Sequence, residues 1–474
     1  MRIALFFFLL LPLQASEKPN LLFIFADDMT YEAIGALGNE EIKTPNLDQL
    51  FQSGTTFTHA YNPGGWNGAI CIASRTMLMS GRQLWNAEKE EKTMQKELVG
   101  KKGTWPQMLS SNGYETYMTG KWHVKIKPNT IFDHVGDVRP GMPRDRANAY
   151  NRPLPGKPDS WSPTDREEGG FWQGGKHWSE VEADTAIKYL DHAKEHDKPF
   201  FIYLAFNAPH DPRQAPQEYL DLYPTDQIEV PEDFLPLYPH RNVMQAGKNL
   251  RDEALAPFPR TYEAVKVHRK EYYAIISHLD AQIGRVLDQL EANGQRENTY
   301  ICFTADHGLS VGHHGLVGKQ NMYDHSIRVP FVIAGPELEA GRKIESPIYL
   351  QDIIPTSLEA AGAEVPEHVQ FESLLPLIEG ATKGRDSIYV GYRMSQRQIT
   401  EGDYKLIVYP RGEVVRLFNL KEDPFEKDDL IEKGEGIEKA RELLEKLKAL
   451  QKEMNDSLDL GSYPDLAKPM RRGR

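Results

Sequence analysis

Four apolar runs of the sequence end in side chains that can bind ions or transfer protons. Adjacent carboxylates repel each other unless a metal ion or a proton lies between them, whereas lysine and histidine suit anion binding and proton transfer. We therefore predict a hard-cation site beside a cationic, proton-transferring site. The runs and the residues that follow them are 21–26 before Asp27 and Asp28, 115–119 before Lys121 and His123, 200–205 before His210, and 300–304 before Asp306 and His307.

A cysteine and an arginine are spaced to share one face of a helix. Cys71 and Arg75 bound the pentapeptide CIASR, and residues at this spacing are neighbours on a helix. If Cys71 begins the helix, backbone N–H groups and the positive end of the helix dipole face a bound anion. Taken singly, Cys71 also fits a buried free thiol and Arg75 a surface ion pair.

The apolar runs predict strands of a sheet that is covered by helices. Continuous apolar runs are typical of strands buried on both faces. Amphipathic helical patterns lie between them, over 104–112, 181–192 and 266–293. This alternation predicts a doubly wound α/β domain, in which ligands bind outside the carboxyl ends of the strands. The four polar junctions then lie at one edge of the sheet.

The remaining segments predict a rim and a small second domain. The irregular stretches 125–178 and 207–262 are rich in proline, glycine and charge, and we expect them to form the rim of the site. From residue 385 the pattern changes. Apolar and polar residues alternate as in antiparallel strands over 387–392, 404–409 and 414–419, and an amphipathic helix follows over 435–454. We predict a large domain over 17–384 and a C-terminal antiparallel-sheet-plus-helix subdomain over 385–474.

Residues 1–16 have the pattern of a secretory signal peptide. Arg2 precedes an apolar run that is too short to span a bilayer, and small residues follow at the cleavage position. No later segment is long enough to cross a membrane, so we predict a periplasmic or secreted protein without a transmembrane anchor. The formal net charge of -13 over 474 residues disfavours binding to nucleic acid. An anionic substrate must therefore be attracted by a local cationic cluster.

The two cysteines, Cys71 and Cys302, are too few to form a disulfide framework. One disulfide between them remains open for an exported protein. Cys302 lies in an apolar run and is also consistent with a small buried hydrophobic side chain.

The CIASR pentapeptide, followed by Gly81-Arg82, resembles the signature of the type I sulfatases, Cys-x-(Pro or Ala)-x-Arg. This formylglycine-dependent family belongs to the alkaline phosphatase-like superfamily, and the resemblance runs from Asn20 to the C-terminal subdomain. It implies a sulfuric ester hydrolase whose large domain has a mixed, mostly parallel sheet between helices. It also implies that a formylglycine-generating or radical maturation enzyme oxidises Cys71 before export, and that the hydrated formylglycine is the nucleophile.

The same resemblance implies individual roles at the site. One calcium ion would be bound by Asp27, Asp28, Asp306 and His307. The family often has asparagine where this chain has His307, and histidine is less typical for calcium, so another divalent metal remains open. The other implied roles are holding the hydrated aldehyde (Arg75), neutralising the nucleophile (Lys121), accepting its proton when the covalent sulfate ester collapses (His123), acting as general acid (His210) and binding sulfate (Lys319).

A sulfated carbohydrate is the substrate that export and the resemblance imply. We predict His177, Arg393 and Arg397 as substrate contacts, since the rim and the subdomain can approach a sugar there. His313 and His314 lie close to the Asp306 motif and are further candidates. Two alternatives stay open. One is a phosphodiesterase or phosphonate monoester hydrolase of the same superfamily, and the other is a non-catalytic glycan-binding relative.

Overall fold

The computed structural model describes residues 18–139, 147–171, 175–211, 213–463 and 466. The predicted signal peptide lies outside these described residues. Within them, no helix combines the length and the apolar character needed to cross a bilayer.

Sixteen strands occur in the described residues. They are β1 (Asn20–Ala26), β2 (Thr55–Phe57), β3 (Ala60–Tyr61), β4 (Gly64–Gly65), β5 (Glu115–Lys121), β6 (His134–Arg139), β7 (Phe200–Ala205), β8 (Thr299–Ala305), β9 (Arg328–Val329), β10 (Phe331–Ala334), β11 (Lys343–Ile344), β12 (Ile348–Tyr349), β13 (Ser387–Tyr392), β14 (Gln396–Glu401), β15 (Tyr404–Tyr409) and β16 (Val414–Asn419).

Twelve α-helices occur in the same described residues, besides short 3₁₀ turns. They are α1 (Pro45–Ser53), α2 (Ile70–Ser80), α3 (Leu84–Glu90), α4 (Met94–Glu97), α5 (Trp105–Ser111), α6 (Trp178–Lys194), α7 (Gln217–Leu220), α8 (Tyr262–Ala292), α9 (Asp324–Ile327), α10 (Ile353–Ala360), α11 (Leu375–Ile378) and α12 (Ile437–Glu453). The three helical patterns read from the sequence form α5, α6 and α8.

The central sheet has eight strands in the order β11-β2-β10-β8-β1-β7-β5-β6. Five adjacent strands, β8, β1, β7, β5 and β6, are parallel, with Phe25 of β1 paired to Thr304 on one side and to Ala205 on the other. The neighbouring β10 runs antiparallel to both β8 and β2. The mixed, mostly parallel sheet confirms the predicted fold class, and it places the four polar junctions at one edge.

Helices cover both faces of this sheet. Trp105 of α5 packs edge-on against Phe23 of β1 at a ring distance of 5.1 Å. Phe303 pairs with Ile24, the next residue of β1, and therefore points to the opposite face, where Phe51 of α1 packs against it at 6.3 Å. Helices α6 and α8 pack against each other, and α8 also contacts α1. The site edge is thus supported by a rigid three-layer core.

A second sheet forms the C-terminal part, in the order β16-β15-β14-β13-β4. Two of its features differ from the sequence-based expectation. Strand β14 was not predicted, and β4 comes from residues just before Cys71 and pairs parallel with β13. The edge strand β6 was also missed, because it lies within the stretch 125–178 that we expected to be irregular. The proposed boundary at 384/385 falls between α11 and β13.

Candidate active site

Helix α2 holds Cys71 in its first turn. The helix is buried along almost its whole length, and the turn before it is organised by the Asn67 side chain, which accepts a 2.8 Å hydrogen bond from the Ala69 N–H. Gly64 of β4 has φ +108°, and a Cβ atom there would lie 1.9 Å from the carbonyl oxygen of Gly391. Only glycine fits this approach, so β4 anchors the start of α2 to β13.

The surroundings of Cys71 stabilise negative charge. Its side chain is buried, and Sγ lies 3.5 Å from Nδ1 of His123. Burial alone would raise the pKa of the thiol, but the ammonium groups of Lys121 and Lys319 and hydrogen bonds from histidine hold that pKa well below its usual value. Cys302 is also a free thiol in β8, where burial raises its pKa. The disulfide alternative is therefore wrong.

Arg75 connects α2 to the ends of the strands. Its Nε donates a 3.2 Å hydrogen bond to Oδ2 of Asp306, and Nη1 donates a 3.1 Å bond to the carbonyl oxygen of Lys121. Nη2 lies 3.7 Å from Oδ1 of Asp27, and the guanidinium stacks 4.7 Å above the Phe25 ring. Arg75 is thus a buried member of the site and not a surface ion pair.

The acidic residues form a group of metal-ligand type. One ligand atom each of Asp27, Cys71, Asp306 and His307 lies within 4.8 Å of the others, and the same holds for Asp27, Asp28 and His210. Oδ1 of Asp27 is buried without a hydrogen-bond partner. An orphaned carboxylate oxygen among further carboxylates fits a hard divalent cation.

The electrostatics of these acids agree with that fit. Burial and the neighbouring Asp27 carboxylate raise the pKa of Asp306 to about 7. Burial would lower the pKa of His307, but the carboxylates of Asp306 and Asp28 raise it to about 10. Both pKa values are raised because several carboxylates lie close together, and a bound cation would neutralise their negative charge.

Two buried lysines bring positive charge to the same place. The Nζ atom of Lys121 donates to Oδ2 of Asp27, and both side chains are completely buried. Nζ of Lys319 lies 2.7 Å from both carboxylate oxygens of Asp28. Gly120 has φ +97° and packs against Ala205 so tightly that a Cβ atom would lie 1.9 Å from its carbonyl oxygen. This close approach directs the end of β5, with Lys121, into the site.

The two predicted proton-transfer residues contact different members of the site. His123 is half-buried beside Cys71. His210 is buried, with Nε2 3.7 Å from Oδ2 of Asp28 and Nδ1 2.7 Å from the carbonyl oxygen of Asp211. Burial lowers the pKa of His210. The structure therefore brings together all ten residues that were predicted to bind metal or to take part in catalysis.

Three site residues were not found from the sequence. Oδ2 of Asp252 lies 4.0 Å from Nζ of Lys319, the Tyr272 hydroxyl donates a 2.7 Å hydrogen bond to the Asp28 carbonyl oxygen, and Nδ2 of Asn62 donates to the Asp306 carbonyl oxygen. Asp252 lies in an irregular stretch and Tyr272 in the long helix α8. Neither has a sequence signal that separates it from its neighbours.

The predicted substrate contacts behave differently from one another. His177 is the N-cap of α6: Nδ1 accepts a 3.1 Å hydrogen bond from the Ser179 N–H, and Nε2 lies 3.0 Å from the Gln214 carbonyl oxygen. Arg397 is fully buried, and its Nε and Nη2 donate to Asp456 at 2.6 and 2.8 Å. These contacts assign both side chains structural roles and give no support to the substrate contacts predicted for them.

Arg393 is the third predicted substrate contact, and its backbone lies beside β4. It is exposed at the turn between β13 and β14, with φ +46°, and its N–H donates a 2.9 Å hydrogen bond to the Gly65 carbonyl oxygen. The turn is therefore fixed to β4, the strand that leads to Cys71.

Comparisons with known proteins identify the family of this chain. The family model described as sulfatase matches residues 19–363, and that for the C-terminal region of N-sulphoglucosamine sulphohydrolase matches residues 312–453. A sulfatase of Formosa agariphila is 27% identical over 94% of this chain and 89% of its own length. An N-acetylglucosamine-6-O-sulfatase of Bacteroides thetaiotaomicron is 26% identical over 94% of this chain and 88% of its own length.

A solved structure in complex with its substrate, D-glucosamine-2-N,6-O-disulfate, superposes with a TM-score of 0.71 at 23% identity, covering 93% of this chain and 99% of the other. At that identity the superposition shows the shared fold. The sulfatase model spans most of the chain, and the chain therefore belongs to the sulfatase family of sulfuric ester hydrolases.

Proposed function

We propose that this sulfatase hydrolyses sulfate monoesters of carbohydrates, with a formylglycine made from Cys71 and one bound calcium ion. The observation that carries the proposal is the position of Cys71. It lies in the first turn of α2 and is influenced by the buried ammonium groups of Lys121 and Lys319, and its Sγ shares a 4.8 Å cluster with ligand atoms of Asp27 and Asp306. Such a place suits a nucleophile that must approach an anion.

The calcium ion would be held by Asp27, Asp28, Asp306 and His307. When present, calcium and the formylglycine hydrate would together supply a polarised sulfate oxygen and an activated oxygen nucleophile. The three carboxylates favour calcium over a softer metal. The imidazole of His307 is a ligand that softer divalent metals prefer, so the choice of calcium is part of the proposal.

The chain's own residues supply binding and proton transfer. Arg75 is held by Asp306 and by the Lys121 carbonyl oxygen, and it positions residue 71, which lies one turn earlier in α2. Lys121 and Lys319 stabilise the negative oxygens of the sulfate group. His123 lies close enough to residue 71 to accept its proton. We propose that His210, which lies beside Asp28, donates a proton to the leaving alcohol.

The substrate class rests on the relatives and on Arg393. The Bacteroides relative is an N-acetylglucosamine-6-O-sulfatase, and the superposed structure holds a glucosamine disulfate. We propose a sulfated amino sugar or a related short saccharide, contacted by Arg393 of the 385–474 subdomain. We also propose that a maturation enzyme first oxidises Cys71. The protein is then exported to the periplasm or the medium by means of the segment 1–16.

The proposal is tested with protein that is produced together with a formylglycine-generating enzyme. Mass spectrometry first measures the oxidised fraction of residue 71, and sulfate release is then followed on a panel of sulfated mono- and disaccharides. We expect turnover that scales with the oxidised fraction and is abolished in Cys71→Ala. Cys302→Ala is the matched control, since Cys302 is the other buried free thiol and lies in β8, away from the site.

Two results would contradict the proposal. Sulfate release by Cys71→Ala at the wild-type rate would remove residue 71 from the reaction. Faster turnover of an aryl phosphonate or phosphodiester than of the matched sulfate ester would assign the site to a different ester.

A further inference from the structure

A second buried histidine cluster lies outside the proposed calcium site. His314 follows β8, His325 lies in α9, and Asp233 comes from the irregular stretch 207–262. Each of the three side chains is at most 5% exposed. One ligand atom of each lies within 4.8 Å of the other two. The proposed sulfatase chemistry uses none of them.

Two imidazole nitrogens in this cluster lack hydrogen-bond partners. Nε2 of His314 and Nε2 of His325 are both buried without one, although Nε2 of His314 lies 3.2 Å from Oδ2 of Asp233. Both nitrogens are therefore available to a ligand, and an imidazole nitrogen is a common metal ligand.

Neighbouring groups hold the three side chains in place. His313 lies between two carboxylates, with Nδ1 2.9 Å from Oδ1 of Asp233 and Nε2 3.1 Å from Oε2 of Glu32. The contact with His313 therefore orients the Asp233 carboxylate. Nδ1 of His325 lies 2.8 Å from Oγ of Ser326. Second partners of this kind are typical of metal ligands.

Other charges facing the cluster are already neutralised. Lys405 of β15 pairs with Asp324 and Glu426, and Arg416 of β16 pairs with Asp429 at 2.9 Å. The turn that carries His314 is left-handed at this residue, with φ +53°.

We propose that Asp233, His314 and His325 bind one divalent transition-metal ion of the zinc type, separate from the calcium site. Two imidazoles and one carboxylate suit Zn²⁺ better than Ca²⁺, and a water molecule would complete a tetrahedron. Tetrahedral zinc requires ligand atoms about 3.4 Å apart, so the side chains close inward on binding. Because Lys319 lies between His314 and His325 in the chain, the ion would fix the loop that carries this sulfate-binding lysine.

The test uses the full-length protein, stripped with a chelator and dialysed against Zn²⁺ with Ca²⁺ in excess. We expect one Zn²⁺ per chain by elemental analysis, and calorimetric titration should show zinc affinity at least about 100-fold weaker in His325→Gln. Substituted Co²⁺ should give a tetrahedral absorption band that this variant loses. His134→Gln is the control, since it breaks a half-exposed Glu115, His134 and His192 cluster that could also chelate zinc.

Several outcomes would overturn the proposal. One is wild-type protein that binds no Zn²⁺ in the presence of excess Ca²⁺. Another is zinc binding that survives His325→Gln but is lost in His134→Gln, which would place the ion on the surface. If His325→Gln does not fold, as judged by circular dichroism, Asp233→Asn takes its place, and unchanged zinc affinity in that variant is equally decisive.

Discussion

The ammonium nitrogen of Lys319 lies 2.7 Å from each carboxylate oxygen of Asp28, and both side chains are buried. Asp28 follows the end of β1, whereas Lys319 lies on the loop after β8, so the pair connects two neighbouring strand ends. Nε2 of His307 lies 3.0 Å from the same carboxylate. Asp28 is thus shared between a proposed sulfate-binding lysine and the proposed metal site. A cation bound at Asp28 would weaken its hold on Lys319 and release the ammonium group toward a sulfate oxygen.

Replacing Lys319 should therefore affect both activity and stability. In Lys319→Met the stem remains but the charge is lost, and we expect kcat/KM for sulfate esters to fall about 10²- to 10³-fold, as for the loss of one oxyanion-binding group. Asp28 loses its main partner, which should cost about 3 kcal/mol or more of stability. Kinetics and urea unfolding measure the two effects. Lys319→Arg keeps the charge and should therefore lose less activity and less stability. Equal losses in the two variants would contradict a charge-based role.

The contribution of His210 to kcat should be larger for substrates with poorer leaving groups. A sugar alkoxide needs a proton from a general acid, whereas 4-nitrophenolate leaves without one. In His210→Gln we expect kcat on a sugar sulfate to fall about 10²- to 10⁴-fold and kcat on 4-nitrophenyl sulfate to fall much less.

His177→Asn is the matched histidine control for this experiment. Asparagine is a good N-cap, so the start of α6 should be preserved and both substrates should react at wild-type rates. Equal losses on the two substrates in His210→Gln would remove His210 from proton transfer to the leaving group.

The ends of the central strands could be predicted from the sequence because a strand that is buried on both faces is a continuous apolar run. A continuous apolar run such as 200–205 fits a central parallel strand, and parallel strands bring their carboxyl ends to one edge. Once four such runs were recognised, the proximity of Asp27, Lys121, His210 and Asp306 followed from the fold. Export and the roles of these residues do not follow from the fold in this way and stay predictions.

The C-terminal sheet shows what the sequence could not reveal. Strand β14 has the sequence QRQITE, and five of its six residues are buried. Its polar side chains are satisfied by distant partners, as when Nε2 of Gln396 donates to the carbonyl oxygens of Met244 and Gln320 at 2.9 and 2.8 Å. Arg397 likewise pairs with Asp456, beyond α12. A polar stretch has the same local pattern whether it is exposed or buried against such partners, so the sequence could not reveal that Arg397 is buried.

Removing the metal should inactivate the enzyme reversibly. We expect chelation to abolish sulfate release and Ca²⁺ to restore it, with Mg²⁺ less effective because it demands a small, regular octahedron of oxygens. Because an ion that binds only the folded protein stabilises it by mass action, Ca²⁺ should also raise the melting temperature. Asp306→Asn removes one proposed ligand charge. A calcium-dependent rise in melting temperature that is as large in Asp306→Asn as in the wild type would place the ion elsewhere.

Glu182 is a buried acid behind the site whose ionisation should make stability depend on pH. It lies in α6 and is completely buried beside Gly120, which precedes Lys121. Burial raises its pKa from 4.5 to about 8, and the nearby charge of Arg139 offsets only part of this effect. The folded protein therefore keeps a proton that the unfolded chain releases near its ordinary pKa.

The sign of the effect follows from proton linkage. Between pH 4.5 and about 8 the folded state binds the proton and the unfolded state does not, so this contribution to stability is present below pH 4.5 and is lost as pH rises through about 8. Glu182→Gln imitates the protonated acid and removes the titration. We expect the free energy of unfolding of this variant, relative to the wild type, to increase with pH by up to about 1.4 kcal/mol per unit over that range.

Urea unfolding at pH 5.5, 6.5 and 7.5 checks this expectation, and Glu180 offers a matched control two residues earlier in α6. A hydrogen bond with His278 lowers the pKa of the half-exposed Glu180, so its contribution to stability is present above its ordinary pKa and is lost at acid pH. Glu180→Gln should therefore be destabilising by a nearly constant amount at these three pH values, whereas the effect of Glu182→Gln should change with pH. A Glu182→Gln difference that stays constant across the three pH values would mean that Glu182 is already ionised in the folded protein, held by Arg139 despite its burial.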